Sequence, residues 1–284
     1  MKLAVSNIAW PPAERLRIYR LLAAHGIRGL EIAPGLFLPG SARPFAPSEA
    51  ELAAALAETQ AAGLELVSMQ SLLFGVEGAA LFGEAGERAR FREGLRAAIT
   101  LAGRLGIPNL VFGSPRQRVI PADMDPAEAE AVALATFGEL GEAAREAGTR
   151  LGIEFNPAAY GTNFLTTLEE ADAFVTRLGH PAVTLILDLG AMHMNGAFAG
   201  IAGAVAAVRA PISHVHVSEP DLAPAPASAG AAATALAALA RKGYAGWHSI
   251  EMKPPPDPGP AVLEAAIGRL LRAAGMAEGK AGAA

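Results

Sequence analysis

Eight short aliphatic runs, separated by longer stretches with helical patterning, constrain the fold of this chain more than any other feature. They are KLAVS (Lys2–Ser6), GLEIA (Gly29–Ala33), LELVSM (Leu64–Met69), NLVFG (Asn109–Gly113), LGIEF (Leu151–Phe155), VTLILD (Val183–Asp188), ISHVHV (Ile212–Val217) and HSIEM (His248–Met252). Each has the length of a β-strand, about five or six residues. The stretches between them open with helix-start signals. Ser48-Glu49-Ala50-Glu51 and Thr167-Leu168-Glu169-Glu170 read as capping boxes, and Asp125-Pro126 puts proline at the first helical position. Gly26, Gly63, Gly106 and Gly148 mark helix ends just before the next strand. The alanine-rich stretch Pro224–Arg241 is the weakest helix, for want of amphipathic contrast. Strands in strict alternation with helices form parallel sheets, and eight is the number that closes a (β/α)8 barrel. An open doubly wound sheet would carry a glycine-rich phosphate loop after an early strand, and the chain has none. The expected fold is therefore α/β: a (β/α)8 TIM barrel in one domain spanning 1–274, with 275–284 as a flexible tail.

Composition narrows the partners. A 284-residue chain that is 52% hydrophobic can bury a large core, and a net charge of −5 argues against nucleic acid, which calls for a basic surface. With no cysteine, disulfides and thiolate metal sites are excluded, so any metal must be held by carboxylates, histidines or carbonyls. The N-terminal MKLAVSNIAWPPAER breaks its apolar run at Ser6 and Asn7 and does not read as a signal peptide. The most apolar stretches are too short to span a bilayer. A cytoplasmic protein that engages no membrane is expected, its oligomeric state open to a homodimer.

In a barrel of this type the active site lies at the C-terminal ends of the strands. Strand five ends in Glu154 and then Asn156, strand six in Asp188, strand seven carries His214 and His216, and strand eight carries Glu251 and then Lys253. The successive intervals between Glu154, Asp188, His216 and Glu251 are 34, 28 and 35 residues, each close to one βα unit, so the four side chains can converge. Three carboxylates and an imidazole at one point repel one another unless a cation sits among them. Mixed oxygen and nitrogen ligands suit Mn, Mg, Co or Zn.

The segments IEFN (Ile153–Asn156), ILDLGAMHMN (Ile186–Asn195), HVHVSEP (His214–Pro220) and SIEMKP (Ser249–Pro254) resemble the sugar phosphate isomerase/epimerase superfamily, with its xylose isomerase-like barrel, and within it the ketose 3-epimerases. The resemblance covers nearly the whole chain and implies that Glu154, Asp188, His216 and Glu251 hold a divalent metal ion. In two places the sequence departs from the epimerase pattern. A substrate-contacting histidine stands three residues after the aspartate in those enzymes, whereas His193 stands five after Asp188. An arginine six residues after the metal-binding histidine is replaced here by Leu222, preceded by Asp221. Both changes concern substrate contacts rather than metal ligands.

The expected chemistry is removal of a proton next to a carbonyl, with the metal stabilising the resulting enediolate. Glu154 and Glu251, flanking a carbohydrate substrate, would remove and return it. Epimerisation or isomerisation of a sugar-like ketone follows from that step; loss of a β-hydroxyl instead would make a dehydratase or lyase, for example on a keto-inositol. An AP endonuclease with a three-zinc site needs more strand-end histidines than six in all provide, and a non-catalytic sugar-binding barrel would not need two intact glutamates.

Further candidate substrate contacts are Asn156 after strand five, Gln70 at the end of strand three, Asn7 and Trp10 after strand one, His193 in the loop after strand six, and Lys253. Arg116 and Arg118 in GSPRQR could grip a phosphate or carboxylate. His214, two residues before His216, should face the same way one layer deeper as a hydrogen-bonded core residue. His248 has the opposite parity from Glu251, and His25 and His180 lie beside helix ends. Glu31 points inward, towards function or a core ion pair. The segment Ser71–Gly86, with Phe74 and Phe82, has the length of a lid.

Overall fold

All eight aliphatic runs form strands, and the strands close on one another in chain order, every pair parallel and β8 returning to β1. The computed structural model describes residues 1–254 and 260–281. In chain order the elements are β1 (Lys2–Ser6), α1 (Arg15–Ala24), β2 (Gly29–Ile32), α2 (Pro34–Phe37), α3 (Glu49–Ala61), β3 (Glu65–Met69), α4 (Ala85–Leu105), β4 (Leu110–Phe112), α5 (Pro126–Glu146), β5 (Leu151–Glu154), α6 (Leu168–Leu178), β6 (Val183–Asp188), α7 (Leu189–Met194), α8 (Ile201–Ala207), β7 (Ile212–Val217), α9 (Ala229–Arg241), β8 (Trp247–Ile250) and α10 (Pro260–Ala281). The result is a (β/α)8 barrel. No helix among the described residues is long and apolar enough to cross a membrane.

Local signals act as the sequence suggests, with instructive exceptions. Ser48 and Glu51 form a reciprocal capping box on α3. At α6 only half of the box forms: Thr167 accepts from the Glu170 N–H, while the Glu170 carboxylate turns to the N–H and hydroxyl of Thr166. Asp125 caps α5 through the N–H groups of Ala127 and Glu128. Gly106 ends α4 in the left-handed region at φ +65°, which a residue with a Cβ disfavours. The alanine-rich stretch turns helical only at Ala229, capped by Ser228. It lacks amphipathic contrast because α9 is packed between α8 and α10 and buries residues on more than one side.

The final helix runs on to Ala281, so 275–281, expected as a tail, is helical; residues 282–284 lie outside the described residues. The apolar stripe of α10 continues through buried Ala273 and Ala277, and Glu278 pairs with the N-terminal ammonium at 3.0 Å.

The lower part of the barrel carries a chain of polar side chains, Thr184 to Ser213 to Asn109 to Ser68, each hydrogen-bonded to the next at 2.7–3.0 Å. Buried hydroxyls and amides are tolerated there because each has a partner. Outside the sheet, a file of edge-to-face aromatics runs from Phe91 through Phe112, Phe137, Phe174 and Phe164 to Phe82. Phe82 and Phe164 lie 5.1 Å apart, and Leu72, Leu73 and Leu81 are buried. The segment Ser71–Gly86 is thereby packed against the barrel as a wall; of its two aromatics only Phe74 is exposed.

Candidate metal and active site

Strands β5 to β8 each deliver one ionisable side chain to the open end of the barrel. Inward-facing residues alternate along a strand, so Glu154 on β5, Asp188 on β6 and His216 on β7 all point into the barrel, and Glu251 follows one residue after β8. Candidate ligand atoms of the four residues lie within 4.8 Å of one another, and all four residues are buried. His216 Nδ1 sits among the carboxylates, 2.8 Å from Glu154 Oε1, 3.2 Å from Glu251 Oε2 and 3.8 Å from Asp188 Oδ2. Its other nitrogen, Nε2, faces Glu31 Oε1 on β2 at 3.2 Å.

Each carboxylate is held by neighbours. Asp188 Oδ1 accepts from the Ala191 N–H, capping α7, and from the Ser218 hydroxyl, both at 2.7 Å. Ser218 in turn accepts the Gly190 N–H at 2.8 Å. Glu154 Oε2 accepts from Asn156 Nδ2 at 3.2 Å, and Asn156 Oδ1 accepts from the buried Arg118 guanidinium at 2.8 Å. A Cβ at position 113 would come within 2.6 Å of Glu154 Oε2, so glycine is what lets β4 approach this carboxylate.

Burial pushes the Glu251 carboxyl up to about 7, helped by the charges of Glu154 and Asp188 and opposed by His216. Burial works against a charge on His216 too, but Glu251 and Glu31 beside it, with hydrogen bonds donated to Asp188 and Glu154, hold its pKa well above the usual histidine value. The cluster therefore retains protons near neutrality to offset its own negative charge. A divalent cation removes the same repulsion, and three carboxylates with one imidazole nitrogen are a fitting donor set for one. The ring orientation fits as well: Nδ1 is presented to the carboxylates while Nε2 is engaged elsewhere.

While His216 is fully buried beside them, Glu154, Asp188 and Glu251 border a cavity of about 190 Å3. Its wall also includes Asn156 and Lys253, both expected, and Tyr160, Ser218, Asp221 and Leu222. Asp221 and Leu222 both take positive φ, +58° and +57°, unusual for residues with side chains, at the edge of this cavity.

The remaining candidates are placed elsewhere. Gln70 spends its amide on the Ser6 hydroxyl at 2.7 Å. Asn7 both donates to and accepts from the Ala33 backbone, tying the ends of β1 and β2 together. Trp10 is buried edge-on against Tyr19. Arg116 is exposed, and Arg118 is fully buried behind Asn156 rather than open to a ligand. The loop expected after β6 is the short helix α7, which Asp188 itself caps. Helical winding carries His193 onto Phe198, stacked at 3.7 Å between ring centroids. None of these residues lines the cavity.

His214 lies one layer below His216 as expected, but without a hydrogen bond; its Nε2 is 3.4 Å from Glu31 Oε1. His248 is buried between the Lys2 carbonyl and Tyr244. His25 and His180 pair with Glu264 and Glu142. The sequence reading passed over Ser218, although its parity with His214 and His216 was a usable signal. Tyr160 carried no such signal, because it reaches the cavity from an irregular loop.

Residues 19–273 match the family described as "Xylose isomerase-like TIM barrel". No match is found among curated proteins. Among solved structures, 3-keto-D-glucoside 4-epimerase from E. coli is 18% identical with a TM-score of 0.73, over 97% of this chain and 99% of that one. An L-ribulose 3-epimerase is 17% identical with a TM-score of 0.75, over 98% and 95%. A D-allulose 3-epimerase from Methylomonas sp. is 20% identical with a TM-score of 0.73, over 95% of each chain. At these identities the likeness is one of fold, and the family match spans most of the sequence. The chain belongs to the xylose isomerase-like TIM barrel family.

Proposed function

We propose that this protein is a metal-dependent isomerase or epimerase acting on a sugar or sugar-like ketone. The observation that carries the reading is the convergence of Glu154, Asp188, His216 and Glu251, delivered by β5 to β8, on one point beside a small cavity. The similar folds named above belong to sugar epimerases, which supports the same class. Glu154, Asp188, His216 and Glu251 would hold Mn, Mg, Co or Zn. Such an ion, when bound, supplies a Lewis acid for a substrate carbonyl and its neighbouring hydroxyl.

The chain's own groups handle the proton. Glu154 at the end of β5 and Glu251 just after β8 lie 2.8 and 3.2 Å from His216 Nδ1, so a substrate seated over the cluster meets both carboxylates. One glutamate removes the proton beside the carbonyl, and the other returns one to the opposite face. Asn156 holds the second oxygen of Glu154 in place during this exchange. Asn156, Tyr160, Ser218 and Lys253 are the polar groups around the cavity that can meet substrate hydroxyls. Asp221 and Leu222 occupy the wall where the epimerase pattern has an arginine, and His193 lies off the cavity, so the substrate should differ from a ketohexose in the part these positions would touch.

The test is proton exchange. Mn2+-loaded protein is incubated in D2O with ketoses, keto-inositols and their phosphates, and deuterium at the α-carbon is followed by NMR. Incorporation with at least one substrate is expected, and its loss in Glu154→Gln and Glu251→Gln with folding intact. Full exchange in both variants would sink the mechanism, and no exchange with any substrate would count against the class. Product analysis separates epimerisation and isomerisation from dehydration, the alternative that shares the first step.

A further inference from the structure

One buried carboxylate faces the cluster from below and has no part in the chemistry above. Glu31 comes from β2, across the barrel from the strands that supply the metal ligands, and its side chain is fully buried. Three groups surround it. His216 Nε2 and His214 Nε2 approach Oε1 at 3.2 and 3.4 Å, and the Ser249 hydroxyl donates to Oε2 at 2.9 Å.

We propose that Glu31 is a positioning residue for the metal centre: by accepting the Nε2–H of His216 it fixes the tautomer and ring orientation that present Nδ1 to Glu154, Asp188 and Glu251. This rests on the reading that those four residues hold a divalent ion. An imidazole has two nitrogens, and the hydrogen bond made by one decides which form the other takes. A carboxylate is suited to this place because it only accepts. Glu31 is approached by three groups able to donate, from β7 and β8, and offers two oxygens with no donor of its own. Glutamine would fill the same space with one acceptor and one donor. Its NH2 would face either the Ser249 hydroxyl or His216 Nε2, and in the second case it favours the tautomer with the proton on Nδ1, which cannot ligate. Ser249 holds the second oxygen and so keeps the carboxylate plane turned towards the histidines.

The experiment is a Mn2+ titration by calorimetry on the full-length protein stripped of metal, with Glu31→Gln, Glu31→Asp and Ser249→Ala beside it and His216→Ala as the ligand control. The unmodified protein should bind one Mn2+ and His216→Ala should lose that binding. Glu31→Gln, which keeps shape but not charge, should weaken binding about 10- to 100-fold. Glu31→Asp, which keeps the acceptor character but not the length, should lose less. Ser249→Ala leaves Glu31 charged and should weaken binding about fivefold, the value of one hydrogen bond; it serves should the Glu31 variants not fold. If Glu31 only packs the core, the order reverses: Gln binds like the unmodified protein and Asp is the poorer variant. That order, or unchanged affinity in all three, overturns the proposal. Failure of the unmodified protein to bind Mn2+, or undiminished binding by His216→Ala, overturns the reading of the centre itself and this proposal with it.

Discussion

The protons that the cluster holds without a metal should be measurable as the price of loading it. With the Glu251 carboxyl at about 7, that group carries about 0.9 proton at pH 6 and about 0.1 at pH 8. His216, held well above its usual value by the carboxylates around it, adds to the protons the cluster holds. A metal ion needs both groups deprotonated. Binding of Mn2+ should therefore release protons, about 0.8 more at pH 6 than at pH 8 on account of Glu251, by linkage. Affinity must then fall as pH falls, and more steeply below pH 7 than near pH 8. Calorimetry in two buffers of different ionisation enthalpy reads the proton count directly. Glu251→Gln should bind more weakly, and its proton release should differ less between the two pH values, because the group that titrates has been removed. An affinity independent of pH between 6 and 8, with no proton released, would refute the reasoning: it would mean that the four side chains do not share a buried, repulsive site.

Three other outcomes follow from the fold. Burial lowers the His248 pKa from 6.5 to about 4, against the opposing effect of its hydrogen bond to the Lys2 carbonyl. The unfolded chain thus takes up the proton first as pH falls, and stability is lost between about pH 6.5 and 4, by about 3 kcal/mol. Urea unfolding of unmodified protein and His248→Phe across this range should show their difference shifting by that amount in favour of the variant; a constant difference would contradict it. Ser218→Ala removes a donor to Asp188 and leaves the Gly190 N–H without its acceptor, so metal-free protein should lose about 1–3 kcal/mol in urea unfolding. Gly152→Ala puts a methyl group into Ile186 inside the barrel; the overpacking should lower stability by about 1–3 kcal/mol on the same assay.

The strands were readable because each is a short run of aliphatic residues flanked by turn and cap signals, and these act within a few residues. The same locality explains the candidate ligands. Glu154, Asp188, His216 and Glu251 interrupt those runs where the strands end, and their spacing repeats the βα unit. Once the barrel closes, parity and register leave few other places for them to point. His193 was harder to place. Its number of residues from Asp188 suggested a displaced loop contact, but Asp188 caps a helix, and 100° of winding per residue decides where the ring goes. Gln70, Asn7 and Trp10 also stand near strand ends, and partners distant in sequence, Ser6, Ala33 and Tyr19, engage them away from the cavity.

By itself the sequence determined the alternation, the closure into eight strands, the family resemblance and the four strand-end residues, all of which depend on local patterning and on counting. Only the tertiary structure decided which side chains meet. It set Glu31 of β2 beneath His216, 185 residues away. It buried Arg118 behind Asn156, and it brought Tyr160, Asp221 and Leu222 to one cavity wall. Contacts between distant elements depend on strand register, helix winding and the turns that join them, and a pattern read along one segment carries none of the three for its partner.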